Sequence, residues 1–175
     1  LSCMITDLIV GSGWPFGGEF LAEDEMVQRV IVNSIRYSGG NVISENFRSL
    51  LAKALKSQSR PDESKAVSNE LLFADLVPVS MKDTSEIINV ARRMGTDGSV
   101  SFTVPAGDYE LIYGIVQRGH REVTGGAPGA AGPVMDHYKK EVTLAYLNRL
   151  KKISEDTGVP LSTLVRALFC DSIEL

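Results

Sequence analysis

Histidine, cysteine and tryptophan are scarce in this chain, and each scarcity narrows the chemistry open to it. The 175 residues hold two histidines, His120 and His137, two cysteines, Cys3 and Cys170, and one tryptophan, Trp14. No Cys/His cluster has the spacing of a structural zinc site. Two distant cysteines in apolar runs read as buried free thiols rather than a disulfide framework. No apolar run approaches the ~20 residues of a membrane-spanning helix. Basic residues are not in excess. There are 18 Lys and Arg against 22 Asp and Glu, a net charge of −4, and the pI is near 5.2. Nucleic acid is therefore excluded as the main partner, because phosphate-binding surfaces are usually basic. An initiating methionine and a signal peptide are also missing, and the sequence stops where an apolar run meets acidic residues. Both features suggest a piece of a larger protein.

What remains is an ordinary globular balance of 43% hydrophobic and 23% charged residues. The apolar run at 3–10 suits a buried strand. Residues 26–37 read as a strand, and 44–57 as a helix with Phe47, Leu50, Leu51, Ala54 and Leu55 at helical spacing. After a polar linker at 57–65, residues 70–80 read as a strand and 84–94 as a short helix. Residues 99–105 and 109–118 follow with the pattern of an antiparallel hairpin. A Gly/Pro/Ala loop at 124–133 precedes an amphipathic helix over 137–156, and 165–171 reads as a buried strand. The ends thus look α/β and the middle β-rich. The expected arrangement is an α/β scaffold at 1–23 and 123–175 carrying a β-rich insertion at 24–122.

Four stretches carry candidate chemistry. The first is Gly11–Gly18, GSGWPFGG. It mimics a dinucleotide fingerprint but has Phe16 where the sixth position needs glycine, and Pro15 removes a backbone donor. A nucleotide is disfavoured. Trp14 offers a flat apolar face and Gly17 and Gly18 allow close backbone approach, which suits a sugar; a tight loop around a buried tryptophan is the plainer alternative. At the far end, Asp171 and Glu174 stand where a buried strand finishes. They are either a solvated strand end or carboxylates with a task. Asp136 and His137 follow the 124–133 loop, and Asp136 either caps the next helix or faces a site.

These stretches, in this order, resemble glycoside hydrolase family 106, the α-L-rhamnosidases and their relatives. The similarity lies in GSGWPFGG at 11–18, TVPAGDYEL at 103–111, the APGxxGxVMDHY pattern at 127–138, and DSxE at 171–174. Residues 26–70 find no match. The resemblance implies partial (β/α)8 barrel segments at both ends flanking an antiparallel β-rich middle, α+β overall. It also implies cleavage of terminal α-L-rhamnose with inversion in a secreted or periplasmic bacterial protein, and an oligo- or polysaccharide substrate. Glu174 would be a catalytic carboxylate, more readily the acid or a calcium ligand than the base, with Asp171 in support. Trp14, Gly17, Gly18, Asp136 and His137 would line the sugar pocket. The resemblance fixes no cofactor, although calcium often assists the family. The second carboxylate would lie beyond Leu175, and the segment alone would be inactive. A cut barrel would expose strand edges and self-associate. The rival reading is a non-catalytic carbohydrate-binding or structural β-rich module.

Overall fold

A computed structural model describes residues 6–9, 16–58, 66–123 and 131–169. The chain divides into two compact units. One comprises Leu1–Gln28 with Arg118–Leu175, and the other comprises Arg29–Gln117.

The Arg29–Gln117 unit is built on a four-stranded sheet in the order β2-β7-β4-β5, with β2 at Gln28–Ser38, β4 at Ser68–Pro78, β5 at Ile88–Asn89 and β7 at Asp108–Arg118. Cross-strand side-chain bonds join Arg29 to Gln117, Asn33 to Tyr113 and Ser38 to Asp108, so β2 and β7 run antiparallel. Strand β4 pairs antiparallel with β5 through Asp75–Asn89 and Leu76–Ile88. A second, two-stranded antiparallel sheet joins β3 (Val42–Asn46) to β6 (Ser99–Thr103). Helix α1 (Phe47–Lys56) follows β3 directly.

Alternation explains how these elements bury a core. Ile31 on β2, Leu76 on β4 and Leu111, Tyr113 and Ile115 on β7 all face inward, and Leu50 and Ala54 supply the buried stripe of α1. Each fully buried aliphatic side chain contributes roughly 1.5–3 kcal/mol. The Tyr113 hydroxyl donates to the Leu50 carbonyl at 3.1 Å and accepts from the Asn33 amide at 3.0 Å, which ties the sheet to the helix.

In the other unit, β1 (Thr6–Ile9) and β8 (Val165–Phe169) form a parallel pair, with Ile9 opposite Phe169. Helix α2 spans Lys140–Thr157 and ends on Gly158, whose φ of 68° is the left-handed conformation of a glycine stop. A single turn, α3 (Leu161–Leu164), leads into β8. Among the described residues no helix is long and apolar enough to cross a membrane.

Several expectations are corrected. The partial (β/α)8 barrel in an α/β scaffold is overturned. Antiparallel sheets dominate, two longer helices stand among the described residues, and one parallel strand pair does not make a barrel segment. The α/β reading failed because short apolar runs do not report strand direction. The hairpin over 99–118 is also absent, since β6 pairs with β3 while β7 joins the other sheet. Helix α1 opens at Phe47 rather than Ser44. Asn46 is the cap, its side chain accepting from the Ser49 amide at 2.8 Å. The expected helix at 84–94 is broken into two 3-10 turns around β5, because Val90 donates its amide to Ala74 of β4 at 2.8 Å.

Candidate functional site

The candidate site is assembled on main-chain hydrogen bonds around residues 131–136. On one edge this segment meets the end of the glycine-rich stretch. The Gly18 amide donates to Pro133 at 2.9 Å, the Glu19 amide to Ala131 at 3.1 Å, and the Met135 amide to Phe16 at 2.9 Å. On its other edge, Val27 donates to Val134 at 2.9 Å, Asp136 donates to Glu25 at 2.7 Å, and Val134 donates to Arg121 at 3.0 Å. The structure therefore brings together parts of two stretches singled out in the sequence, 16–18 and 133–137.

Glycine is needed at this crossing for space. A Cβ on Gly17 would lie 2.0 Å from the Pro133 carbonyl oxygen, and one on Gly132 would lie 2.4 Å from the Glu19 nitrogen. Both residues also have positive φ, at 155° and 126°. The Gly18 amide is spent on Pro133, so these glycines shape the crossing of two chain segments.

An apolar cluster of Phe16, Leu21, Met26, Met135 and Val142, with Tyr146 packed against it, fastens the crossing to α2. Phe16 meets Tyr146 edge-on, with ring centroids 5.1 Å apart. Burial pushes the Tyr146 hydroxyl above its ordinary pKa, although the Arg149 charge works against this. The Arg149 guanidinium also lies over the Phe20 ring at 4.2 Å.

Asp136 does not cap α2, whose N-cap is Lys139. Its carboxylate instead accepts from the Tyr138 amide at 3.1 Å and closes a tight turn. That turn presents His137. Both nitrogens of the His137 ring are buried, and neither has a hydrogen-bond partner among the described residues. The ring rests against Tyr138 with centroids 4.6 Å apart. A buried imidazole with both nitrogens unpaired is costly, so this ring is suited to a polar group supplied from elsewhere.

Trp14, Asp171 and Glu174 lie outside the described residues. The strands leading to them are described. The carboxyl ends of the parallel neighbours β1 and β8 run toward 11–15 and 170–175 respectively. Among the described residues no group of three or more His, Cys, Asp or Glu could hold a metal ion.

The other unit contains a polar cluster that the sequence reading passed over. Glu45, on β3, is 7% exposed. Its carboxylate accepts from Tyr37 at 2.9 Å and Ser49 at 2.8 Å, and it pairs with Lys53. Burial would raise the Glu45 pKa, but the bonds from Lys53, Ser49 and Tyr37 outweigh it and hold the carboxyl below its ordinary value. Burial and the Glu45 carboxylate together raise the Tyr37 hydroxyl. The available signal was the alternation in VISEN, which puts Glu45 on the same face as the fully buried Ile43.

No protein-family model, curated protein or solved structure matches the chain.

Proposed function

We propose that this chain is part of a bacterial glycoside hydrolase that removes terminal α-L-rhamnose-type sugars from an oligo- or polysaccharide by inversion. The proposal rests on the ordered motifs and does not require a barrel, since function resides in a site rather than in a fold. The observation that carries it is the ladder joining Phe16–Gly18 to Pro133–Met135. Two motifs more than a hundred positions apart meet there, beside a histidine whose ring nitrogens are buried and unpaired among the described residues. The parallel neighbours β1 and β8, which lead toward Trp14 and toward Asp171 and Glu174, add support.

In this reading Glu174 is the carboxylic acid that protonates the leaving oxygen, and Asp171 supports it. A second carboxylate, carried by the rest of the parent protein, activates water at ~6.5–9.5 Å from the first. Trp14 walls the sugar, and Asp136 holds the turn from which His137 hydrogen-bonds a hydroxyl. Gly17 and Gly18 keep the crossing narrow. A secreted or periplasmic location belongs to the same proposal.

The test is hydrolysis of an aryl α-L-rhamnoside by the parent polypeptide, with the anomer of the first product read by NMR. Glu174→Gln should lower kcat by about a thousandfold or more, a loss within the range of removed catalytic groups. A variant as active as the wild type would remove Glu174 from the mechanism.

One observation favours a second reading, a carbohydrate-binding module within 24–122. A cleft of about 430 Å3 is lined by Phe47, Leu71 and Met94 with Asn69, Thr96 and Asp97. This mixture of apolar surface and convergent polar groups suits a sugar ring. If L-rhamnose shifts the NMR signals of these residues and leaves His137 unmoved, the second reading gains at the expense of the first.

A further inference from the structure

The edges of the four-stranded sheet are unequal. At one edge stands β5, two residues long; at the other stands β2, eleven residues long. Among the described residues no strand pairs with β2 on the side away from β7. Long unpaired edges attract further strands unless charge, proline or a bulge blunts them. The window Val30–Ile35, VIVNSI, contains no charge, proline or glycine, and Val30 and Val32 are 50% and 57% exposed.

The ladder parity identifies the groups left over. The Gly39 amide donates to Gly107 across the β2–β7 ribbon, so the odd-numbered residues of β2 face β7 with their main-chain groups. Val30, Val32, Ser34 and Arg36 therefore direct theirs to the open edge. The Ser34 amide is taken by the neighbouring Asn33 side chain at 2.9 Å, an arrangement suited to an edge with no strand beside it.

We propose that β2 is a self-association edge, and that its partner is β2 of a second copy, paired antiparallel about Val32. The sequence is self-complementary in that register. Val32 faces Val32, Val30 faces Ser34, Arg29 faces Ile35 and Arg36 faces Gln28, so no two like charges are opposed. The parity also fits, because the even-numbered residues supply the new ladder. The Ser34 amide exchanges its Asn33 bond for one to Val30 of the second copy. The four-stranded sheet is thereby continued across a two-fold axis, an isologous contact of the kind that closes on itself. This inference does not depend on a barrel and is independent of any glycosidase activity.

Sedimentation velocity of the purified chain over a wide concentration range should show a monomer–dimer equilibrium. Val32→Lys opposes two charges at the two-fold axis and should raise the dissociation constant by about tenfold or more, with an unchanged circular dichroism spectrum. Val32→Cys should form an intermolecular disulfide, since directly paired residues lie within bridging distance. Val42→Cys, an equally exposed valine on β3, should not. A chain that stays monomeric overturns the proposal. So does a dimer that survives Val32→Lys, or equal cross-linking of the two cysteine variants.

Discussion

The two units spend their residues differently. Arg29–Gln117 packs twelve buried hydrophobic residues into one cluster, from Ile31 to Ile115. In the unit that carries three of the four motifs, the cluster among the described residues has five, and the segments that meet at 131–136 are joined by main-chain bonds. Among the described residues, side-chain burial organises the first, and main-chain contact organises the crossing at 131–136 in the second. A core of interdigitated side chains is read from periodicity, whereas a crossing of two extended segments leaves little pattern in either of them.

Perturbation should separate the two regimes. The largest effect is expected from Leu50→Ala, which opens a cavity in the fully packed cluster. It should cost about 3 kcal/mol, measured by denaturant unfolding followed on the amides of the Arg29–Gln117 unit. Gly17→Ala should rank next, at roughly 2 kcal/mol. The added methyl overlaps the Pro133 carbonyl, and the conformation is strained for alanine. The expected signature is local: hydrogen exchange accelerates at Gly18 and Met135 while the amides of β7 keep their protection. Equal loss in both units would end the contrast drawn above.

Glu45→Ala should cost a similar or slightly smaller amount, about 1–3 kcal/mol, because the Tyr37 and Ser49 hydroxyls lose their acceptor. The pH dependence carries a definite sign. The Glu45 pKa is lowered on folding, so its contribution is full above the ordinary carboxylate range and is lost as pH falls through that range toward the folded value. Midpoints measured down an acid series should fall more steeply for wild type than for Glu45→Gln. The smallest effect on stability is expected from His137→Ala, within about 1 kcal/mol of wild type, since its ring has no described hydrogen bond to lose. That variant should instead weaken L-rhamnose binding in an NMR titration. Unchanged binding would take His137 out of the proposed pocket.

How legible the molecule was follows the same division. The strand expected over 26–37 runs Gln28–Ser38, and the helix expected over 137–156 runs Lys140–Thr157. Long periodic segments declare themselves. The helix expected at 84–94 did not form because its spacing of Ile87, Ile88, Val90 and Ala91 also suits a short edge strand, and pairing with β4 decided between them. Sheet membership was illegible for the same reason. Nothing local in 99–118 says that β6 turns to β3 and β7 to β2 and β4. The barrel was inferred from apolar runs and a resemblance, and neither reports whether neighbouring strands run parallel. At the candidate site only the resemblance placed Gly17, Gly18, Asp136 and His137 in one pocket; nothing local in 16–18 or 133–137 did. Their meeting depends on main-chain amides that every residue type carries, so only the glycines could hint at it.

One hydrogen bond near the start of β2 has a practical consequence. The Gly119 amide donates to the Val27 carbonyl at 2.9 Å, so the chain departs for Arg29–Gln117 and returns from it at the same point. The excursion thus begins and ends at one main-chain hydrogen bond. A tight turn grafted between Val27 and Gly119 could replace it without stretching the remaining chain, because loop closure between neighbouring ends costs little. The same doorway would accept a foreign domain whose termini lie close together.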